Sequence, residues 1–184
     1  MQTPLHKTWK EMENCVKLGL TKSIGVSNFN VQLLLDLLSY AEIAPVVNQV
    51  EMHPYLPQND LLYFCKEMNI VIEAYSPLTA PGLIDTLRNT EKIRKNIFEE
   101  EIIKKRCEKY EKSGGQIILN WGLSRDVVIL PKTEKKERMI ENLKSMSFVM
   151  DGEDVKLIDS LECGERSLES KHLPEVFGGF NMFA

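Results

Sequence analysis

Four short segments hold most of the residues able to do chemistry. Ser27-Asn28-Phe29 follows one apolar run, and Asn48-Gln49 with Glu51-Met52-His53-Pro54-Tyr55 closes a second. Tyr75-Ser76-Pro77-Leu78 ends a third, and Pro131-Lys132-Thr133 a fourth, with Arg138, Glu141 and Asn142 just beyond. Amide side chains can hydrogen-bond a planar carboxamide, a tyrosine face can stack on a flat ring, and a lysine with an arginine can hold a phosphate. Gathered on one rim, these groups suit a nicotinamide dinucleotide bound without a glycine-rich turn, and no G-x-G-x-x-G occurs in the sequence. Each segment also has a plainer reading. Ser27 and Asn28 can cap the following helix, Tyr75 can be a half-buried core aromatic, and Lys132 and Arg138 stand among Glu134, Lys135, Lys136 and Glu137 as solvated charges do. Gly25 to Phe29 partly matches a hydrolase nucleophile elbow, but Phe29 stands where the closing glycine belongs.

The elements that must position these residues alternate in type. Apolar spacing near 3.6 predicts helices over Thr8 to Leu20, with Gly19 near the end, over Val31 to Tyr40 behind an Asn30 cap, and over Asp60 to Met68. In the second of these, Leu33, Leu34, Leu37 and Leu38 share one face. Short β-branched runs predict strands at Ser23 to Val26, Val46 to Val50, Ile70 to Tyr75 and Val127 to Leu130. Leu78 to Phe98 reads mainly as a long loop, and Glu99 to Glu111 as a charged helix with a solvated face. Gly114-Gly115 breaks that helix, and Gln116 to Leu123, Glu137 to Leu143 and Glu153 to Leu161 are helical again. The tail 167–184 is irregular. Strands alternating with amphipathic helices predict a parallel sheet covered by helices, an α/β class. The first three strand starts, at 23, 46 and 70, keep the pitch of repeated β/α units. Four visible strands make half of an eight-stranded β/α barrel, which takes about 250 residues, so residues 1–184 are expected to form a single partial domain.

Composition excludes several classes. The 184 residues carry 23 Lys+Arg against 27 Asp+Glu, a formal charge of −4, with 43% hydrophobic and 27% charged residues, the balance of a globular chain. Such a chain lacks the basic field that a nucleic-acid partner demands. No apolar run approaches the roughly 18 residues of a membrane span, and no apolar stretch follows the charge at the start, so neither a membrane nor a signal peptide is expected. Cys15, Cys65, Cys107 and Cys163 form no C-x-x-C, so no metal knuckle or redox pair is expected. Thiols of this kind pack as small hydrophobes in a reducing, cytoplasmic setting.

The motifs taken in order say more. Ile24-Gly25-Val26-Ser27-Asn28-Phe29, then Asn48 to Tyr55, then Ala74-Tyr75-Ser76-Pro77-Leu78, then Leu130-Pro131-Lys132-Thr133, resemble the aldo-keto reductase family. The resemblance runs from about Thr8 to about Leu161, with Trp9 at its opening and Gln116 to Arg125 in place. It implies the C-terminal half of a (β/α)8 TIM barrel that binds NADP(H) and reduces aldehydes or ketones, so the partner is a small-molecule carbonyl or alcohol. Carried over by position, it implies that Ser27, Asn28 and Gln49 bind the nicotinamide carboxamide and that Tyr75 stacks on the nicotinamide ring. Ser76 and Leu78 would touch the pyrophosphate; Lys132, Thr133 and Arg138 would hold the adenosine 2′-phosphate, with Glu141 and Asn142 on the adenine. Thr133 stands where serine is commoner and keeps the hydroxyl. Gly82 stands where some relatives carry an aspartate that latches a loop over the cofactor.

The family's catalytic Asp, Tyr, Lys and His come from the first half of the barrel, and no position here matches them. His6 lies too close to Trp9, His53 belongs to the His-Pro-Tyr motif, and His172 has no counterpart. No catalytic residue is assigned, and the chain alone is expected to be an inactive, truncated piece of a reductase. The other readings are a nucleotide-binding or interaction protein of the same fold that does no chemistry, or a fragment with an incomplete core. Open barrel edges imply self-association. The tail residues Phe177, Phe180, Met182 and Phe183 would either line a substrate pocket or pack beneath the barrel.

Overall fold

The computed structural model describes residues 3–79 and 96–166. Helix α1 (Leu5–Lys17) precedes strand β1 (Val26–Ser27), α2 (Val31–Tyr40), β2 (Val47–Glu51), α3 (Asn59–Glu67) and β3 (Val71–Tyr75). Then come α4 (Glu101–Tyr110), α5 (Gly114–Leu123), β4 (Val128–Leu130), α6 (Lys136–Leu143) and α7 (Gly152–Asp159). The four strands lie in the order β1-β2-β3-β4, parallel, with Val26 opposite Asn48 and Ser27 opposite Gln49. The α/β class and the four parallel strands are therefore as the sequence pattern predicts. Contacts divide the chain into two compact units. One runs to Val50 and includes Gln58–Glu73; the other holds Glu51–Pro57 and the chain from Ala74 onward.

In the first unit, Trp9, Ile24 and Leu37 form a core into which Val16, Val26, Phe29 and Ile43 pack. Helix α1 starts and ends three residues earlier than its apolar spacing predicts, because Pro4 opens it and Gly19, at φ +70°, closes it. Gly19 occupies the left-handed conformation that lets the Leu20 amide reach back to the Cys15 carbonyl, 2.9 Å away. The α1 face carries Glu13 as well as Trp9 inward. The Glu13 carboxylate accepts from the Glu42 and Ile43 amides at 2.7 and 3.0 Å, while the Trp9 indole N–H donates to the Ile43 carbonyl. Those amide hydrogen bonds, Ile43's first, hold the Glu13 carboxyl below its ordinary range although burial opposes them. Asn30 caps α2 as expected, accepting from the Leu33 amide at 2.9 Å. Of the four leucines placed on one face, Leu34 and Leu37 are buried and Leu38 half-buried, whereas Leu33 is exposed.

Strand β1 is only two residues long, shorter than Ser23 to Val26 and shifted past it. Gly25 explains why the chain runs so close to β2 here. A Cβ at this position would lie 2.2 Å from Val47 Cγ1 and 2.7 Å from the Val47 carbonyl oxygen, and the backbone atom cannot move aside.

In the second unit, α5 is buried along Gln116 to Gly122. It begins at Gly114, not after Gly115, because Ser113 and Gln116 form a reciprocal capping box. The charged helix α4 is not merely solvated. It buries Ile103 completely, and Arg106, Lys109 and the Tyr110 hydroxyl converge on the buried Asp154 of α7 at 2.9, 2.6 and 2.6 Å. Burial pushes the Asp154 carboxyl up, but these partners outweigh it and hold the group below the usual range. A short 3-10 helix at Ile97–Glu99 ends the segment read as a loop, most of which, 80–95 with Gly82, lies outside the described residues. The tail 167–184, with its four apolar side chains and His172, lies outside them too. Among the described residues no helix is long and apolar enough to cross a membrane.

Candidate functional site

Ser27, Asn28, Tyr75, Ser76, Leu78, Lys132 and Thr133 stand at the C-terminal ends of their strands or just beyond, where β/α sheets present their chemistry, whereas Gln49 lies within β2 and Arg138, Glu141 and Asn142 on α6. In the first unit Ser27 ends β1 and Asn28 follows it at φ +59°, a left-handed conformation that asparagine tolerates better than most residues. The Ser27 hydroxyl and the Asn28 amide both donate to the Gln49 backbone carbonyl at 2.9 Å. Neither side chain caps α2; Asn30 does. Ser27, Asn28 and Gln49 are thus brought together, with Ser27 and Asn28 exposed and Gln49 half-buried.

Two supporting residues were not assigned from sequence. Asn48, fully buried, accepts from the Phe29 amide at 3.3 Å and donates to the Phe29 carbonyl at 2.8 Å, which pins the loop carrying Asn28. The Cys65 thiol also bonds Asn48 and is pushed by burial to a pKa of about 11, so it is an inert packing group. Glu73 accepts from Gln49 Nε2 at 2.9 Å. The signal for both was present: Asn48 is polar at a strand position in phase with buried Val50, and Glu73 interrupts the apolar run Ile70 to Ala74. A polar group on such a strand needs a partner.

In the second unit Tyr75 ends β3 half-buried. Burial first, and then the Glu51 carboxylate, push its hydroxyl up to about 12, so it offers an aromatic face and no acid near neutral pH. Ser76 follows at φ +50°, and the Thr79 amide closes the turn onto the Ser76 carbonyl at 2.9 Å. Leu78 is half-buried. Glu51 and His53 are fully buried and joined at 2.9 Å, and the Tyr55 hydroxyl donates to Glu100 at 2.9 Å. The His-Pro-Tyr segment is a buried turn, closed by paired His53 and Leu56 backbone bonds.

Beyond β4, Thr133 and Asn142 line one groove of about 430 Å³ with Pro131, Ile129 and Met139. Glu141 faces a different groove of about 320 Å³, beside Gln116 and Lys144, so the two residues placed on an adenine do not open to the same space. The Thr133 hydroxyl accepts from the Lys135 amide at 3.2 Å, just ahead of the N-terminus of α6. Arg138 is exposed on the first turns of α6, and Lys132 is exposed in an ion pair with Glu134. Lys132 and Arg138 are therefore solvated charges in this structure. None of the four cysteines forms a disulfide; Cys65 is buried and Cys15 and Cys107 half-buried, whereas Cys163 is exposed, unlike the packed thiol expected.

A sheet of four parallel strands alternating with helices defines a protein of the β/α type. The chain belongs to the Aldo/keto reductase family, whose model matches residues 1–162. It is 44% identical over 163 residues to aldose reductase B of Dictyostelium discoideum, covering 89% of this chain and 49% of that protein. It is 41% identical over 165 residues to 4-dihydromethyl-trisporate dehydrogenase of Mucor mucedo, covering 90% and 51%. The fold matches an aldo-keto reductase of the silkworm Bombyx mori with a TM-score of 0.82 at 32% identity, covering 93% of this chain and 51% of that one. It matches an aldo-keto reductase solved in complex with NADPH with a TM-score of 0.83, covering 95% and 52%. The chain thus spans about half the length of the relatives it matches, as four of eight β/α units would.

Proposed function

We propose that the chain forms the NADP(H)-binding part of a carbonyl reductase of aldo-keto reductase type, whose substrate is a small aldehyde, a ketone or the corresponding alcohol. What carries the reading is position: Ser27, Asn28, Tyr75, Ser76, Lys132 and Thr133 stand at or after strand C-termini, and Gln49 lies within β2 opposite Ser27. The donor set fits the cofactor. Ser27, Asn28 and Gln49 offer hydroxyl and amide groups to a carboxamide, and Tyr75 offers an un-ionised ring to stack on nicotinamide. Lys132, Thr133 and Arg138, beside the N-terminus of α6, offer cations, a hydroxyl and backbone N–H groups to a 2′-phosphate. Asn142 shares the Thr133 groove and suits an adenosine contact; Glu141, in its own groove, is the weakest member of that set. Leu78 and Ser76 border the pyrophosphate in this assignment.

The bound nicotinamide supplies the hydride; the residues here bind and orient it. Protonation of the product alkoxide needs a positioned acid, typically worth 10²–10⁴-fold, and no residue of this chain matches the family's acid. Tyr55 is committed to Glu100 and His53 to Glu51, both buried. The chain alone is therefore a binding module. Its charge, lacking a basic excess, supports a reading without a nucleic-acid partner, and cysteines with no C-x-x-C spacing support a cytoplasmic setting.

The test is fluorescence titration with NADPH, alongside NADPH oxidation over a panel of aldehydes. Saturable binding, weakened about tenfold by Gln49→Ala as one hydrogen bond to the carboxamide is lost, with no turnover, is expected. Unchanged affinity in that variant would count against the placement, and turnover would require an acid that the family pattern does not assign.

A further inference from the structure

Gln49 is held at both ends of its structure. Its backbone carbonyl receives the Ser27 hydroxyl and the Asn28 amide, and its side-chain Nε2 donates to Glu73 Oε2 at 2.9 Å. An ionised carboxylate accepts and cannot donate, so only the amino end of the Gln49 amide can face Glu73. The carbonyl end, Oε1, is then left for a ligand, and among the described residues no hydrogen bond to it is found. A glutamine without such a partner could turn over and present either end. Strand pairing fixes the pair: the Val71 amide bonds the Val46 carbonyl at 2.9 Å, which ties β2 to β3 two residues before Glu73.

We propose that Glu73 is a positioning residue that locks the Gln49 amide with its oxygen toward the ligand, so that this chain reads the N–H donor of the nicotinamide carboxamide and not its carbonyl. The inference rests on the reading of Gln49 as a carboxamide ligand. It assigns a separate consequence to Glu73: selectivity between nicotinamide and analogues that keep the carbonyl but lack the N–H group. A polar group built to accept from a ligand N–H rejects an analogue without one, because the acceptor is left unmatched.

The experiment uses the whole chain and two probes, NADPH and its reduced 3-acetylpyridine analogue, in which a methyl ketone replaces the amide. Dissociation constants are measured for the wild type, Glu73→Gln, Glu73→Asp and Gln49→Ala, with circular dichroism melts on each. The wild type is expected to favour NADPH by about tenfold. In Glu73→Gln a neutral amide accepts or donates, so Gln49 is released and the ratio falls toward unity while the melt is retained. Glu73→Asp, still acceptor-only, keeps most of the discrimination. A cofactor-free readout accompanies these: the Gln49 side-chain N–H proton bonded to Glu73 should be shifted downfield and slow to exchange with solvent in the wild type, and both signs should weaken in Glu73→Gln. If Gln49→Ala abolishes discrimination but Glu73→Gln leaves the ratio and the resonances as in the wild type, the role given to Glu73 is wrong while the Gln49 reading stands. If Gln49→Ala leaves both constants unchanged, the underlying reading fails and the inference falls with it.

Discussion

At the scale of single residues, the candidate site separates groups proposed to touch a ligand from groups that hold them, and Tyr75 is placed in the first kind. Its hydroxyl, pushed up to about 12 by burial, is un-ionised across the physiological range and shares a hydrogen bond with the Glu51 backbone, so the proposed contact is through its ring. Tyr75→Phe is therefore expected to bind NADPH within about twofold of the wild type, equally at pH 6 and pH 9. Tyr75→Ala should weaken binding by about 1–3 kcal/mol, the range for ring stacking on a base, with a normal melt. A melt lowered by about 3–5 kcal/mol instead would make Tyr75 a core aromatic. The sequence made the ligand-facing residues legible because motifs record residue types in order. It left Asn48 and Glu73 unassigned because their roles depend on pairing across strands, Asn48 with Phe29 and Glu73 with Gln49, and register is not written in either strand alone.

At the scale of elements, helix types and their order were legible, and boundaries moved where end chemistry overrode apolar spacing. Pro4 and Gly19 set the ends of α1, and Ser113 with Gln116 converts an expected glycine break into a helix start. The solvated reading of α4 holds for Glu101, Lys104, Lys105 and Glu108 and misses the Arg106–Asp154 pair, because Asp154 lies 48 residues from Arg106, out of reach of any local pattern. The tie between α1 and the loop after α2 has a pH signature. The Glu13 carboxyl is held below its ordinary value near 4.5 by the Ile43 and Glu42 amides. Its stabilising contribution is complete above that ordinary value and is lost as pH falls through the lower, folded one. Thermal melts of the wild type should therefore drop on acidification below about pH 4.5, and Glu13→Gln should show a shallower drop; parallel curves would remove Glu13 from the account. The approach of β1 to β2 makes a second prediction. Gly25→Ala, with no room beside the Val47 carbonyl, should lose about 1–3 kcal/mol in urea unfolding, whereas an unchanged midpoint would mean that the strands can separate there.

At the scale of the whole molecule, four parallel strands in the order β1-β2-β3-β4 leave β1 and β4 as edges among the described residues, and β4 exposes Val128 and Leu130. Exposed edges and apolar side chains favour pairing with another chain. The chain alone is expected to self-associate, read as a concentration-dependent mass in sedimentation, and a monodisperse monomer would contradict this. Half of a reductase's length was legible from the count of strands against the eight that a barrel requires, and the relatives' lengths agree. Under the proposed function these residues carry the NADP(H) contacts, with Arg138 among those that hold the 2′-phosphate. Calorimetric titration of NADPH and NADH into the wild type and Arg138→Ala is the decisive measurement. NADPH should bind the wild type more tightly than NADH, and Arg138→Ala should lose about 1.5–3 kcal/mol for NADPH alone, the worth of a hydrogen bond to a charged group. Equal affinity for the two nucleotides, or equal weakening of both by the substitution, would contradict the account.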